Sequence, residues 1–148
     1  MTHAMQTQTH RPEASGSRPA LRKLSTTMYA NAAFSALTGL VALIGAQPLA
    51  AEFAVERAWI FTALGLGLVL FAAVVAAGTT WARRSAEPHR RMAALALEVS
   101  VADMAWVAAT AVVVLIAEMT AIGNVVAIVA AILVADFAVV QLRCRSRL

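Results

Sequence analysis

Two of the eight acidic residues in this 148-residue chain lie deep within long apolar runs: Asp103, in Ala102-Asp103-Met104-Ala105-Trp106-Val107, and Asp136, in Val134-Ala135-Asp136-Phe137. A carboxyl group so placed can hold a proton, bind a cation or form hydrogen bonds between helices, and two such groups together can activate water for peptide hydrolysis. Asn31, Ser35 and Thr38 are spaced i, i+4, i+7 and so share one helical face, while Ser100, Asp103, Val107 and Thr110 form a similar stripe. The candidates for a buried polar cluster are therefore Asn31, Thr38, Asp103, Thr110 and Asp136.

Other chemistries have no residues to carry them. Cys144 is the only cysteine, which removes any intrachain disulfide or two-thiol relay. His3, His10 and His89 all lie outside the apolar runs, so none can ligate a haem held between membrane helices. Lys23 is the only lysine and is also flanking, which excludes a buried Schiff base or Ser/Lys dyad. No metal site, cofactor or catalytic residue is expected.

The elements that must position the cluster are membrane spans. At 61% hydrophobic residues the chain is well above the roughly 45–50% usual for a soluble domain. The twelve Lys and Arg residues fall in short clusters beside apolar runs, a pattern of membrane orientation and not of nucleic-acid binding. Residues 1–20 are polar and aperiodic and read as a disordered cytoplasmic tail, followed by a four-span membrane domain over 21–148. A spanning helix needs roughly 20 apolar residues, which predicts spans over about 27–47, 58–81, 92–117 and 124–142. Ser25 or Thr26 is placed to cap the first span, Pro48 to end it, and Gly123 to separate the last two. Residues around Leu49 to Glu56 read as either a short interfacial helix or a loop.

Trp59 and Trp81 bracket the second span as interface anchors, and Gly65, Gly67, Ala72, Ala73, Ala76 and Ala77 supply small-residue surfaces, including Ala63-xxx-Gly67, for close helix approach. A cleavable signal peptide is the competing reading of the first run, disfavoured by that run's length and polar stripe. All the basic residues except Arg57 lie in the N-terminal segment, the loop between the second and third spans, or the C-terminal tail. The positive-inside rule then puts both termini in the cytoplasm.

Residues 31–46 laid over 103–118 align Ala33 with Ala105, Thr38 with Thr110 and Ile44 with Ile116, with Asn31 opposite Asp103 and Phe34 opposite Trp106. Phe71-Ala72-x-Val74 likewise matches Phe137-Ala138-x-Val140. These matches suggest a duplicated helical hairpin with parallel repeats about an axis along the membrane normal; the alternative is chance agreement between alanine-rich helices.

At 1.5 Å per residue, Asn31 lies roughly 12 Å beyond Lys23, Asp103 roughly 18 Å beyond Arg91, and Asp136 roughly 10 Å from Arg143. A carboxylate at such depth costs about 2.5–3.5 kcal/mol on insertion scales, and no span holds a Lys or Arg to neutralise it. Asp103 must then be protonated, hydrogen-bonded to a neighbour such as Asn31, or in contact with water. Glu98 is shallower and reads as interfacial.

The stretch NAAFSALTGLVALIGA and the ending VADFAVVQ resemble small four-helix inner-membrane proteins of bacteria. That resemblance covers about residues 22–143 and implies architecture and an inner-membrane location, but no activity. Two aspartates on the last two of four spans also resemble lipoprotein signal peptidases. That likeness implies carboxylates near the outer surface, whereas Asp136 lies toward the basic, cytoplasmic side, and the polar residues that accompany the family's aspartates are missing. The fold expected is an all-α four-helix transmembrane bundle that associates with itself or with another membrane protein. Its function is expected to be structural or interactive, with a small proton- or cation-coupled transporter using Asp103 and Asp136 as the alternative.

Overall fold

A computed structural model of the chain describes residues 14–148. It contains α1 (Ala14–Ile44), α2 (Ala46–Glu52), α3 (Trp59–Arg84), α4 (Pro88–Ile116) and α5 (Ala121–Arg145). Four of them, α1, α3, α4 and α5, are long and apolar enough to cross a membrane, and the chain is a multi-pass membrane protein of all-helical fold. Backbone polar groups in a bilayer must be satisfied within the protein, and a helix does this residue by residue.

The long helices overrun the apolar stretches at their basic ends, because charges do not break a helix that is leaving the hydrocarbon. Residues 14–20, expected to be disordered, are the first turns of α1, while 1–13 lie outside the described residues. Ser25 and Thr26 therefore do not cap a helix. Their hydroxyls donate back to the Arg22 carbonyl at 2.9 and 3.0 Å, which satisfies them inside α1.

Pro48 does not end the first span either. α1 stops at Ile44, Gly45 turns the chain, and Pro48 is the third residue of α2, where a missing N–H is tolerated. α2 closes with Val55 N–H donating to Ala50 O at 2.8 Å and Ala54 N–H to Ala51 O at 3.3 Å, the two bonds of a Schellman motif. This requires a left-handed residue, and Ala54 supplies it at φ 51°. Ala54→Gly is accordingly expected to raise stability by about 1 kcal/mol, read as a later midpoint on SDS titration in micelles.

α1 packs along α3, and α4 along α5, giving two hairpins; α1 also lies against α5 and α3 against α4, while α1 and α4 meet more narrowly across the bundle. The two hairpins pack side by side as a four-helix bundle. The aromatic pair Phe34–Phe137, with ring centroids 5.9 Å apart, joins α1 to α5.

The α1–α3 crossing depends on Gly39 and Gly65. A Cβ on Gly39 would sit 2.7 Å from the Gly65 carbonyl oxygen, and one on Gly65 would sit 2.6 Å from that of Gly39. Of the two glycines expected on the small-residue face of α3, Gly65 makes this approach and Gly67 faces open space. In the other hairpin the positions corresponding to Gly39 and Gly65 are Ala111 and Ala131, and both border a groove of about 360 Å³ between α4 and α5.

Gly123, expected as a helix stop, lies within the first turn of α5, where a side chain would run into the Glu52 carbonyl. Thr120 makes the actual N-cap, accepting from Gly123 N–H at 3.0 Å while its own hydroxyl donates to the Glu52 carboxylate. Thr120 N–H also reaches the Glu52 carbonyl at 3.0 Å, so α2 ties the first hairpin to the start of α5.

Side-chain packing is densest toward the basic ends. Leu24, Met28, Val75, Ala82, Met92 and Ala96 form a fully buried apolar cluster there, with Cys144 at its edge. At that surface Arg91 lies 4.1 Å above the Trp81 ring, a cation–π contact that anchors the α3–α4 turn. Trp59 and Trp81 are both exposed at the two ends of α3.

Candidate functional site

Asn31 on α1 and Asp103 on α4 meet where the diagonal pair of helices touch. Asn31 Nδ2 donates to Asp103 Oδ2 at 2.7 Å, and both side chains are buried, Asn31 at 0% and Asp103 at 4% exposure. These two residues are also the counterparts of one another in the aligned hairpins, 72 positions apart. The bond therefore joins the first hairpin to the second through the narrow α1–α4 contact.

The bond leaves one group open. Asn31 Oδ1 is buried with no hydrogen-bond partner. A protonated Asp103 carboxyl could donate to it and close a two-bond ring; an ionised one cannot, and would need positive charge from elsewhere.

Two residues outside the expected cluster add a second polar contact one turn away. Ser100 Oγ donates to Gln141 Oε1 at 3.0 Å, with both side chains buried. In the first hairpin the corresponding residues are Met28 and Val75, which belong to the apolar cluster. One half is thus sealed with methyl groups and the other with a hydrogen bond. Gln141 carries a sequence signal, since Val134, Ala138 and Gln141 are spaced i, i+4, i+7 and so share one helical face. Thr79, also fully buried, satisfies its hydroxyl on the Val75 carbonyl at 2.7 Å.

Asp103 also lines a cavity of about 380 Å³ in the half of the bundle away from the apolar cluster. Its walls come from both hairpins, with Phe34 and Leu68 from the first and Trp106 and Val134 from the second. Ser35 and Thr38 reach it from α1.

Thr110 does not join this site. Its hydroxyl donates to the Trp106 carbonyl at 2.9 Å, and the residue borders the separate groove between α4 and α5. Asp136 is excluded altogether. It lies two residues past Val134, which faces the cavity, and at about 100° per residue that turns it roughly 200° away. Its side chain is exposed on the outside of α5, a correction to the expectation that it is part of the buried cluster. The arrangement of paired aspartates that a peptidase or a two-carboxylate relay requires is therefore not formed.

Glu98 is exposed and borders a shallow surface groove with Trp81, Arg90 and Arg91. Among the described residues, no three His, Cys, Asp or Glu side chains are grouped so as to hold a metal ion. No protein-family model, curated protein or solved structure matches the chain.

Proposed function

We propose that this chain is a self-associating interaction bundle of the bacterial inner membrane, with both termini in the cytoplasm, whose Asn31–Asp103 bond fixes the internal register. The observation that carries the reading is Asp136, exposed on the outer face of α5 within a span. A carboxyl facing lipid at that depth costs about 2.5–3.5 kcal/mol, which cover by protein relieves. Together with Asp136, the exposed Val125, Val129, Ile132 and Val139 follow one another at alternating spacings of four and three residues, the repeat of a two-helix seam with one polar position.

A second copy is the occupant this face suits. Copies inserted in one orientation place Asp136 opposite Asp136 at equal depth, where two carboxyl groups can hydrogen-bond to each other. The polar position then sets register at some cost in stability, as a single polar seam residue does in coiled coils.

Cysteine cross-linking in native membranes tests this, in a Cys144→Ser background. Ile132→Cys is expected to give covalent dimer, and Leu70→Cys, exposed on α3, is not. Equal yields from the two positions, or monomer from both, would count against the α5 interface. For the orientation, reporter fusions after Arg84 and Leu148 are expected to read cytoplasm and those near Glu56 and Met119 the outside; a cytoplasmic reading at Glu56 would sink it.

A further inference from the structure

We propose that the cavity beside Asp103 binds an amphipathic organic cation, an ammonium group carried on an aromatic or branched apolar body. The cavity volume of about 380 Å³ is of the size that takes small ligands, and well above the roughly 150 Å³ that holds a benzene ring. Gly67 on α3 and Ala102 on α4 are exposed residues of its lining, which places an entrance on the side of the bundle between these helices.

The walls select the chemistry. Phe34, Phe71 and Trp106 bring aromatic rings from three helices to one space, surfaces that attract a weakly hydrated cation and accept an apolar body. Asp103 supplies the anion. Asn31, its partner through Oδ2, is a neutral amide, and the nearest basic residue on its own helix, Arg91, lies roughly 18 Å away along the axis. A strongly hydrated metal cation has too few oxygen ligands here, and an anion would be repelled. A purely apolar ligand would leave the carboxyl unused.

The test uses the full chain in lipid nanodiscs with Trp59→Phe and Trp81→Phe, both exposed positions, so that Trp106 is the only tryptophan and its emission is excited selectively over that of Tyr29. The probes are benzyltrimethylammonium and neopentylbenzene, its neutral carbon isostere. The ammonium is expected to change Trp106 emission saturably and the isostere to do so at least tenfold more weakly. Asp103→Asn should weaken ammonium binding about ten- to hundredfold, the range of a lost charge-assisted contact.

Gly67→Leu is the second variant. Its side chain grows into open space, since a Cβ there meets nothing within 4 Å, and it leaves the Asn31–Asp103 bond untouched while narrowing the entrance. It too should lose binding, and it decides the matter if Asp103→Asn does not fold. The proposal is overturned by a change that fails to saturate, by equal binding of the two probes, or by undiminished binding in either variant.

Discussion

Gly65→Leu is expected to leave no folded bundle in mild detergent, and Gly65→Ala to lower stability by about 2–3 kcal/mol, the upper part of the range for overpacking. The reason is that the neighbours are backbone. A Cβ on Gly65 meets the Gly39 carbonyl oxygen at 2.6 Å and the Leu43 nitrogen at 2.9 Å, and a helix cannot move one peptide group aside without moving the whole segment. α1 and α3 would separate along the length over which they pack. Gly67→Ala, two residues on in the same helix, has no neighbour to displace and should be neutral within about 0.5 kcal/mol, as for substitutions away from such features. The measurement is the SDS-titration midpoint of the three proteins side by side. Equal midpoints for Gly65→Ala and Gly67→Ala would mean that α1 and α3 do not approach at Gly39.

That contrast also shows what an amino-acid string conveys here. The four spans were legible because twenty apolar residues in a row have few other uses, and the flanking arginines marked their ends. Asn31 and Asp103 were legible as partners since each is the rare polar residue of its run and the hairpin alignment sets them opposite. Which face of a helix turns inward was much less so. A soluble helix declares its buried face by an apolar stripe, but a helix in lipid is apolar all round, so Gly65 and Gly67 look equivalent until a neighbour is present. Asp136 is deceptive for the same reason: its polarity suggests the interior, and the carboxyl is on the outside of α5. Pro48 and Gly123 were read from their habits in isolated helices, whereas here a proline fits the first turn of α2 and a glycine lets a carbonyl approach α5.

The central bond and the cavity beside it respond differently to substitution, and Asp103→Asn separates them. Asn31→Leu and Asp103→Leu each remove one partner from a buried pair and are expected to cost about 1–2 kcal/mol, the range for interhelical hydrogen bonds in membranes. The double variant should cost less than their sum by about 1 kcal/mol, because it leaves no orphaned polar group behind. Asp103→Asn behaves otherwise. It keeps an acceptor for Asn31 Nδ2 and adds an amide donor that can reach Asn31 Oδ1, the buried oxygen that has no partner. Two amides can then close a ring of two hydrogen bonds. Stability should be unchanged or higher by up to about 1 kcal/mol, the net worth of one more bond. The same substitution removes the negative charge from the cavity wall. A folded Asp103→Asn protein with an unchanged SDS midpoint and weakened ammonium binding is thus the expected result. A midpoint lowered as far as in Asp103→Leu would show that the carboxyl group itself, rather than a hydrogen-bonding group of its size, holds α4 against α1.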